Sequence, residues 1–135
     1  MHELVLRINE PDKCYVFARN ATRKGHPELA LEAYRRAVDL RAEQHEATSD
    51  LEFAAVRAIY AYEEALSHTR GKRTRATGTW QLVNRIGPVA AVAKRLSSRN
   101  GEDLTEVLKE MGMEDYTFEA VRAAYPDAFS QKQAA

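Results

Sequence analysis

Residues 49–67, SDLEFAAVRAIYAYEEALS, decide the fold of this chain. Apolar residues recur there every three or four positions, which is the repeat of one face of an α-helix. Ser49 is a suitable N-cap, and Glu52 follows at the spacing of a capping box. The stretch therefore predicts a long helix over about 50–67. Its inward-facing positions are Leu51, Ala54, Ala55, Ala58, Ile59, Tyr62 and Leu66.

Helical patterns also lie on both sides of this stretch. Upstream, the spacing predicts a helix from Pro11 and a second one over 27–46, with Pro27 in its first turn. Downstream it predicts shorter helices, over 80–86, 88–98, 102–111 and 115–124. The sequence therefore predicts an all-α fold, a helical bundle of six or seven helices.

The two ends of the chain carry different signals. Leu4, Leu6 and Ile8 alternate with polar residues, which predicts a short strand over 3–8 without a partner. At the other end, Pro126 is expected to stop the last helix, and the tail from Ser130 is expected to be loose.

These elements suggest two parts that pack as one unit. Residues 1–67 form an N-terminal hairpin plus a third helix, and residues 79–135 form a compact set of short helices. Residues 68–78 have no apolar periodicity and are expected to be an exposed basic connecting loop, with Thr79 capping the helix that follows.

Residues 11–42 resemble one tetratricopeptide (TPR) unit, a helical hairpin of about 34 residues. Ala30, Tyr34 and Ala37 match the spacing of its second helix. Cys14 and Ala42 depart from the pattern, standing where the family favours Trp and Pro. The resemblance implies a helical hairpin, whereas a peptide groove usually needs several stacked units.

Residues 60–96 resemble a second group, bacterial helical proteins of unassigned role. Some of these accompany nuclease or restriction systems. The resemblance supplies no catalytic motif that can be placed on residues of this chain.

Composition excludes several classes of protein. The chain has 135 residues, 44% hydrophobic and 30% charged, which indicates a folded domain rather than a disordered one. No apolar run approaches the length of about 20 residues that spans a membrane, and the start lacks a signal-peptide pattern. The lone cysteine, Cys14, excludes an intramolecular disulfide. We therefore expect a cytoplasmic protein without a membrane partner.

The net charge of zero hides a block pattern. Residues 1–64 carry 9 basic and 12 acidic side chains, and residues 102–135 carry 3 and 8. Residues 65–101 carry 8 basic side chains and no acidic one. Such asymmetry points to a partner of opposite charge more than the total does.

The basic window mixes cations with Thr hydroxyls and Gly, the mixture that holds phosphates in nucleic-acid complexes. Its helices over 79–86 and 88–98, joined by Gly87-Pro88, resemble a helix-turn-helix pair. We predict a non-enzymatic protein that binds nucleic acid, with DNA favoured over RNA. The predicted contact residues are Arg70, Lys72, Arg73, Arg75, Asn84, Lys94, Arg95 and Arg99, with Gln81 as a lesser candidate.

Other interpretations stay open at this point. The basic window can be a solvated loop before an ordinary helical hairpin, or it can pair with an acidic protein. The acidic blocks can themselves supply that partner, within one chain or between two copies. The alternative function is therefore a TPR-like interaction adaptor or a homo-oligomer.

No pattern predicts a catalytic residue, a metal site or a cofactor. The cluster of Glu43, His45 and Glu46 lacks the paired histidines of zinc-binding helices. Glu63 and Glu64 are expected to form an exposed acidic helix face. Trp80 is expected to anchor the basic loop to the core, and Cys14 to be a core residue.

Overall fold

The computed structural model describes residues 2–98 and 103–134, with side chains described as far as Ser130. These residues confirm the all-α fold: they form α-helices and one 3₁₀ helix, and no strand occurs among them. The 3₁₀ helix spans Glu114–Tyr116. The α-helices are α1 (Glu3–Leu6), α2 (Pro11–Arg23), α3 (Pro27–Gln44), α4 (Asp50–Arg70), α5 (Thr77–Ile86), α6 (Pro88–Ser97), α7 (Thr105–Glu110), α8 (Phe118–Ala124) and α9 (Pro126–Ala134).

Helix α4 is the centre of the core, as its apolar pattern predicts. Ile59 and Val56 are fully buried, and α4 packs against α3 on one side and α6, α7 and α8 on another. Ser49 begins the helix by accepting a hydrogen bond from the Glu52 amide at 3.1 Å. Glu52 reaches back to the amide of Thr48. The burial of one long helix on several sides joins the N- and C-terminal parts through a shared core.

Helices α2 and α3 form a hairpin with its own small core. Its buried side chains are mainly alanines, such as Ala18, Ala33 and Ala37, together with Cys14. Such small side chains let two helices lie close together. Leu40 is also buried in this cluster.

A polar cluster ties α3 to the 3₁₀ helix. Arg35 donates to both carboxylate oxygens of Asp115, at 2.9 and 2.8 Å. The Tyr116 ring lies between two guanidinium groups, 4.3 Å from that of Arg35 and 4.2 Å from that of Arg57. Its hydroxyl donates to Asp39. Cation–π contacts and a bidentate ion pair therefore hold the C-terminal part against α3.

The predicted N-terminal strand is wrong, because residues 3–6 form helix α1. The His2 imidazole accepts a hydrogen bond from the Leu4 amide, and Arg7 pairs with Glu3 one turn earlier. Val5 is buried against the fold, whereas Leu4 and Leu6 are about half exposed. With no strand to pair with, the short segment satisfies its backbone groups by local helical hydrogen bonds.

Two predicted boundaries also shift. The connecting loop is shorter than predicted, because α4 continues to Arg70 and α5 begins at Thr77. Thr79 is buried inside α5 and does not cap it.

Helix α8 ends at Ala124, just before Pro126 as expected, but Pro126 then begins α9, on which Phe129 is buried. The expected loose tail from Ser130 is wrong, because α9 continues to Ala134. A proline is well suited to a first helical turn, where its missing amide costs no hydrogen bond.

Candidate functional site

The last turns of α4 contain two adjacent buried carboxylates. Glu63 is 8% exposed and Glu64 is 2% exposed, so the expected exposed acidic face is wrong. A buried carboxylate needs hydrogen-bond donors, because burial removes its hydration. Both acquire donors from the loop that follows α4.

Glu63 holds the end of this loop and the start of α5. Its Oε2 atom accepts from the Ala76 amide at 2.9 Å and from the indole Nε1 of Trp80 at 2.8 Å. A negative charge at this point also faces the positive end of the α5 dipole. Trp80 is buried, which confirms that it anchors the loop to the core.

Glu64 holds the middle of the loop through Arg73. Nη1 of Arg73 donates to Oε2 of Glu64 at 2.5 Å, and the guanidinium lies 4.1 Å from the centre of the Tyr15 ring. Burial raises the pKa of the Glu64 carboxyl, and the hydrogen bond from Arg73 opposes that rise. The Arg73 side chain is half exposed.

The loop turns back over the end of α4. Gly71 has a φ of 70°, a left-handed conformation that glycine adopts without strain, and it ends the helix. Ser67 then accepts from the Thr74 amide at 2.9 Å. These contacts direct residues 71–73 toward α2.

A groove lies where this loop meets the α2–α3 hairpin. It has a volume of about 670 Å³. We call it the tyrosine–arginine groove, and its lining residues are Tyr15, Arg19, Thr22, Arg23, Tyr34, Gly71 and Arg73. A smaller pocket of about 230 Å³ shares Tyr34, Gly71 and Arg73 with it. This adjoining pocket is completed by Glu64, Ser67, His68 and Lys72.

The groove and the adjoining pocket together form a cationic site. Arg19, Arg23, Lys72 and Arg73 line it, against one carboxylate, that of Glu64. Within the described ranges, no acidic side chain pairs with Arg19, Arg23 or Lys72. Burial raises the pKa of the Tyr34 phenol, so this side chain stays uncharged at neutral pH. The site is therefore suited to phosphate groups.

The predicted contact residues lie in several places. Of these, Lys72 and Arg73 line the cationic site. Arg70 ends α4 just before the loop, and Arg75 lies 5.8 Å from the Trp80 ring. Arg99 lies outside the described residues.

The predicted helix-turn-helix surface is only partly exposed. Gln81 and Asn84 on α5 and Lys94 on α6 face solvent. Arg95 turns inward instead, where its Nη2 donates to the Tyr62 hydroxyl at 2.8 Å. The structure therefore does not bring Asn84, Lys94 and Arg95 into the groove formed with Lys72 and Arg73.

Sequence reasoning missed Arg19 and Arg23, because they lie in the part of the chain with net negative charge. A signal for them was present: Tyr15, Arg19 and Arg23 are four residues apart and so share one helix face. What sequence cannot show is that this face meets the loop after α4.

The comparisons with known proteins identify no relative of this chain. No family model matches this chain, and no curated protein or solved structure matches it. The TPR-like and nuclease-associated resemblances therefore stay predictions.

Two further findings concern the described part of the chain. None of its helices is long and apolar enough to cross a membrane. The described residues also form no group of three or more histidine, cysteine, aspartate or glutamate side chains that could hold a metal ion.

Proposed function

We propose that this protein binds nucleic acid and holds its phosphates in the tyrosine–arginine groove. One observation carries the proposal: Arg19 and Arg23 of α2 converge on the same groove as Arg73 of the loop. Lys72 extends this set of cations into the adjoining pocket. Arginine guanidinium groups match phosphate geometry, and most protein–nucleic-acid hydrogen bonds are made to the backbone.

The surrounding hydrogen bonds hold the loop of this site in one conformation. Glu63, Glu64 and Ser67 hold the loop before any ligand arrives. A loop held in its binding conformation loses less entropy when a ligand binds. The expected cytoplasmic location stays part of this proposal.

A fluorescence anisotropy titration tests the proposal. The probes are a labelled 20-nucleotide single strand and a labelled 20-base-pair duplex, each at 50 mM NaCl. We expect saturable binding with a Kd of about 10 μM or below, because sequence-independent contacts bind more tightly at this salt concentration than at physiological salt. If neither probe binds at tens of micromolar protein, the proposed function is wrong.

A second candidate function is that of a protein-interaction adaptor. The observation in its favour is the exposure of large apolar side chains near the N-terminus: Leu4 is 51%, Leu6 52% and Val16 47% exposed. Multi-angle light scattering across a salt series tests it. Self-association through these side chains predicts a dimer that persists at high salt, whereas pairing of charge blocks predicts dissociation. A monomer at every salt concentration excludes both forms of self-association.

A further inference from the structure

Tyr34, Gly71 and Arg73 line both the tyrosine–arginine groove and the adjoining pocket. Arg19 and Arg23 line the groove, whereas His68 and Lys72 line the pocket. Of the three shared residues, Tyr34 is the one with an aromatic ring.

The two tyrosines of the groove differ in what already covers them. The Tyr15 ring carries the Arg73 guanidinium at 4.1 Å and that of Arg41 at 5.6 Å, and its hydroxyl accepts from Arg41. In the described part of the chain, no guanidinium lies over the Tyr34 ring. Its aromatic neighbours are Tyr15, tilted, and His68, edge-on, each with a ring centroid 6.5 Å away. Tyr34 is partly buried and packs against both core clusters, and the part of it that lines the groove and the pocket is the surface it offers a ligand.

Shape narrows the class of ligand further. The groove is open to solvent rather than enclosed, so it can take part of an extended strand. The bases of a duplex are stacked on each other, so their faces are not available to the Tyr34 ring. An unpaired base can enter it and stack on an aromatic ring while its phosphates stay on the neighbouring cations.

We infer that the site takes single-stranded nucleic acid, with one unpaired base stacked on Tyr34 and the adjacent phosphates on Arg19, Arg23 and Arg73. This inference rests on the proposed function and specifies its ligand. Stacking of a base on an aromatic side chain is tolerant of sequence, so the inference predicts a preference for strand state rather than for base identity.

The test compares labelled dT12, rU12 and a blunt-ended duplex of two 12-nucleotide strands by anisotropy, with the wild type, Tyr34→Phe and Tyr34→Leu. We expect the wild type to bind the better single strand about tenfold more tightly than the duplex. Tyr34→Phe keeps the ring and should stay within about twofold of the wild type. Tyr34→Leu should lose about tenfold on single strands, and its duplex affinity should be unchanged. The comparison of dT12 with rU12 shows which sugar the site prefers.

The outcomes separate the two claims. If no probe binds, the proposed function itself fails. If the duplex binds as tightly as both single strands, or if Tyr34→Leu binds single strands like the wild type, nucleic-acid binding stands and the inference about Tyr34 is overturned.

A second measurement keeps the test valid if Tyr34→Leu does not fold. A 12-nucleotide strand with a central 2-aminopurine is titrated with the wild-type protein. Stacking on Tyr34 predicts quenching of the 2-aminopurine fluorescence at saturation, and the same quenching is expected with Tyr34→Phe. Unchanged fluorescence at saturation, measured by anisotropy in the same sample, contradicts the inference.

Discussion

The indole Nε1 of Trp80 donates a hydrogen bond of 2.8 Å to Oε2 of Glu63, seventeen residues earlier in the chain. The same oxygen accepts from the Ala76 amide, so one buried carboxylate holds both ends of the short segment between Ala76 and Trp80. This contact is the reason why α5 begins where it does. It also holds the loop that carries Lys72 and Arg73 to the groove.

Trp80→Phe tests this contact. The substitution keeps a large aromatic ring beside Tyr60 but leaves the buried Glu63 carboxylate with one donor fewer. We expect a loss of about 1–3 kcal/mol in the free energy of unfolding, the usual cost of an unsatisfied buried polar group. Urea denaturation followed by circular dichroism measures it. Tyr60→Phe is the control and should change stability by less than about 0.5 kcal/mol; an equal effect of both variants would refute the role of the indole N–H.

The pair formed by Glu64 and Arg73 predicts a pH-dependent stability. Because burial raises the pKa of Glu64 in the folded protein, its ionised form costs stability once the pH exceeds that folded pKa. Protonated Glu64 stabilises the folded protein fully at pH values below the pKa that Glu64 has in the unfolded chain. This stabilisation is lost as the pH rises through the pKa that Glu64 has in the folded protein.

Glu64→Gln should therefore have a melting temperature equal to or above that of the wild type at pH 7.5. Its advantage should shrink as the pH falls toward 4, where Glu64 itself becomes protonated. Arg73→Gln should lower the melting temperature at pH 7.5, because it leaves the buried carboxylate without its donor. Differential scanning calorimetry at both pH values measures these shifts. A Glu64→Gln variant clearly less stable than the wild type at pH 7.5 would contradict this interpretation.

Cys14 is expected to be inert to thiol reagents in the folded protein. It is fully buried between α2 and α3, and burial raises its pKa to about 11. At pH 8 the thiolate, which is the reactive form, is therefore scarce as well as shielded. Reaction with an aromatic disulfide reagent should be complete within minutes in 6 M guanidinium and far slower without it. Rapid labelling of the native protein would show that α2 is not packed as described.

Tyr116 should be a stability determinant that links α3 to the C-terminal part. Tyr116→Phe keeps the ring between Arg35 and Arg57 but removes the hydrogen bond to Asp39. We expect a loss of about 1–3 kcal/mol, since the partner is charged. Tyr116→Leu should cost more, because it also removes both cation–π contacts. Equal unfolding free energies of the two variants in urea would assign no role to the aromatic ring.

Much of the fold could be predicted from local sequence signals. The spacing of Ala55, Ile59, Tyr62 and Leu66 predicts the buried face of α4, and the structure confirms it. Ser49 and Glu52 predict the start of that helix, which is also confirmed. Such signals act within one or two turns, so they can be seen in a single sequence.

The errors at the candidate site concern contacts between distant parts of the chain. The start of α5 depends on Glu63, which no local pattern links to Ala76. Glu63 and Glu64 resemble an exposed acidic face until their donors are known. The groove was missed for the same reason, since Arg19 and Arg73 are brought together only by packing of the hairpin against the end of α4.

The central claim is that phosphates bind at the tyrosine–arginine groove rather than anywhere along the basic window. The most direct test is the salt dependence of single-strand binding by the double variant Arg19→Gln/Arg23→Gln. Arg85→Gln is the matched control, an exposed arginine in the basic window that does not line the groove. Affinity for a labelled single strand is measured between 50 and 200 mM NaCl, and the slope of log K against log salt is compared.

If the groove holds the phosphates, the double variant should bind at least about tenfold more weakly at 50 mM NaCl. The magnitude of the slope of log K against log salt should decrease by about 1.4, since each of the two lost phosphate contacts on a single strand contributes about 0.7. Arg85→Gln should retain the wild-type affinity and slope. A double variant with unchanged affinity and slope, or an equal loss in Arg85→Gln, would contradict the assignment of this groove.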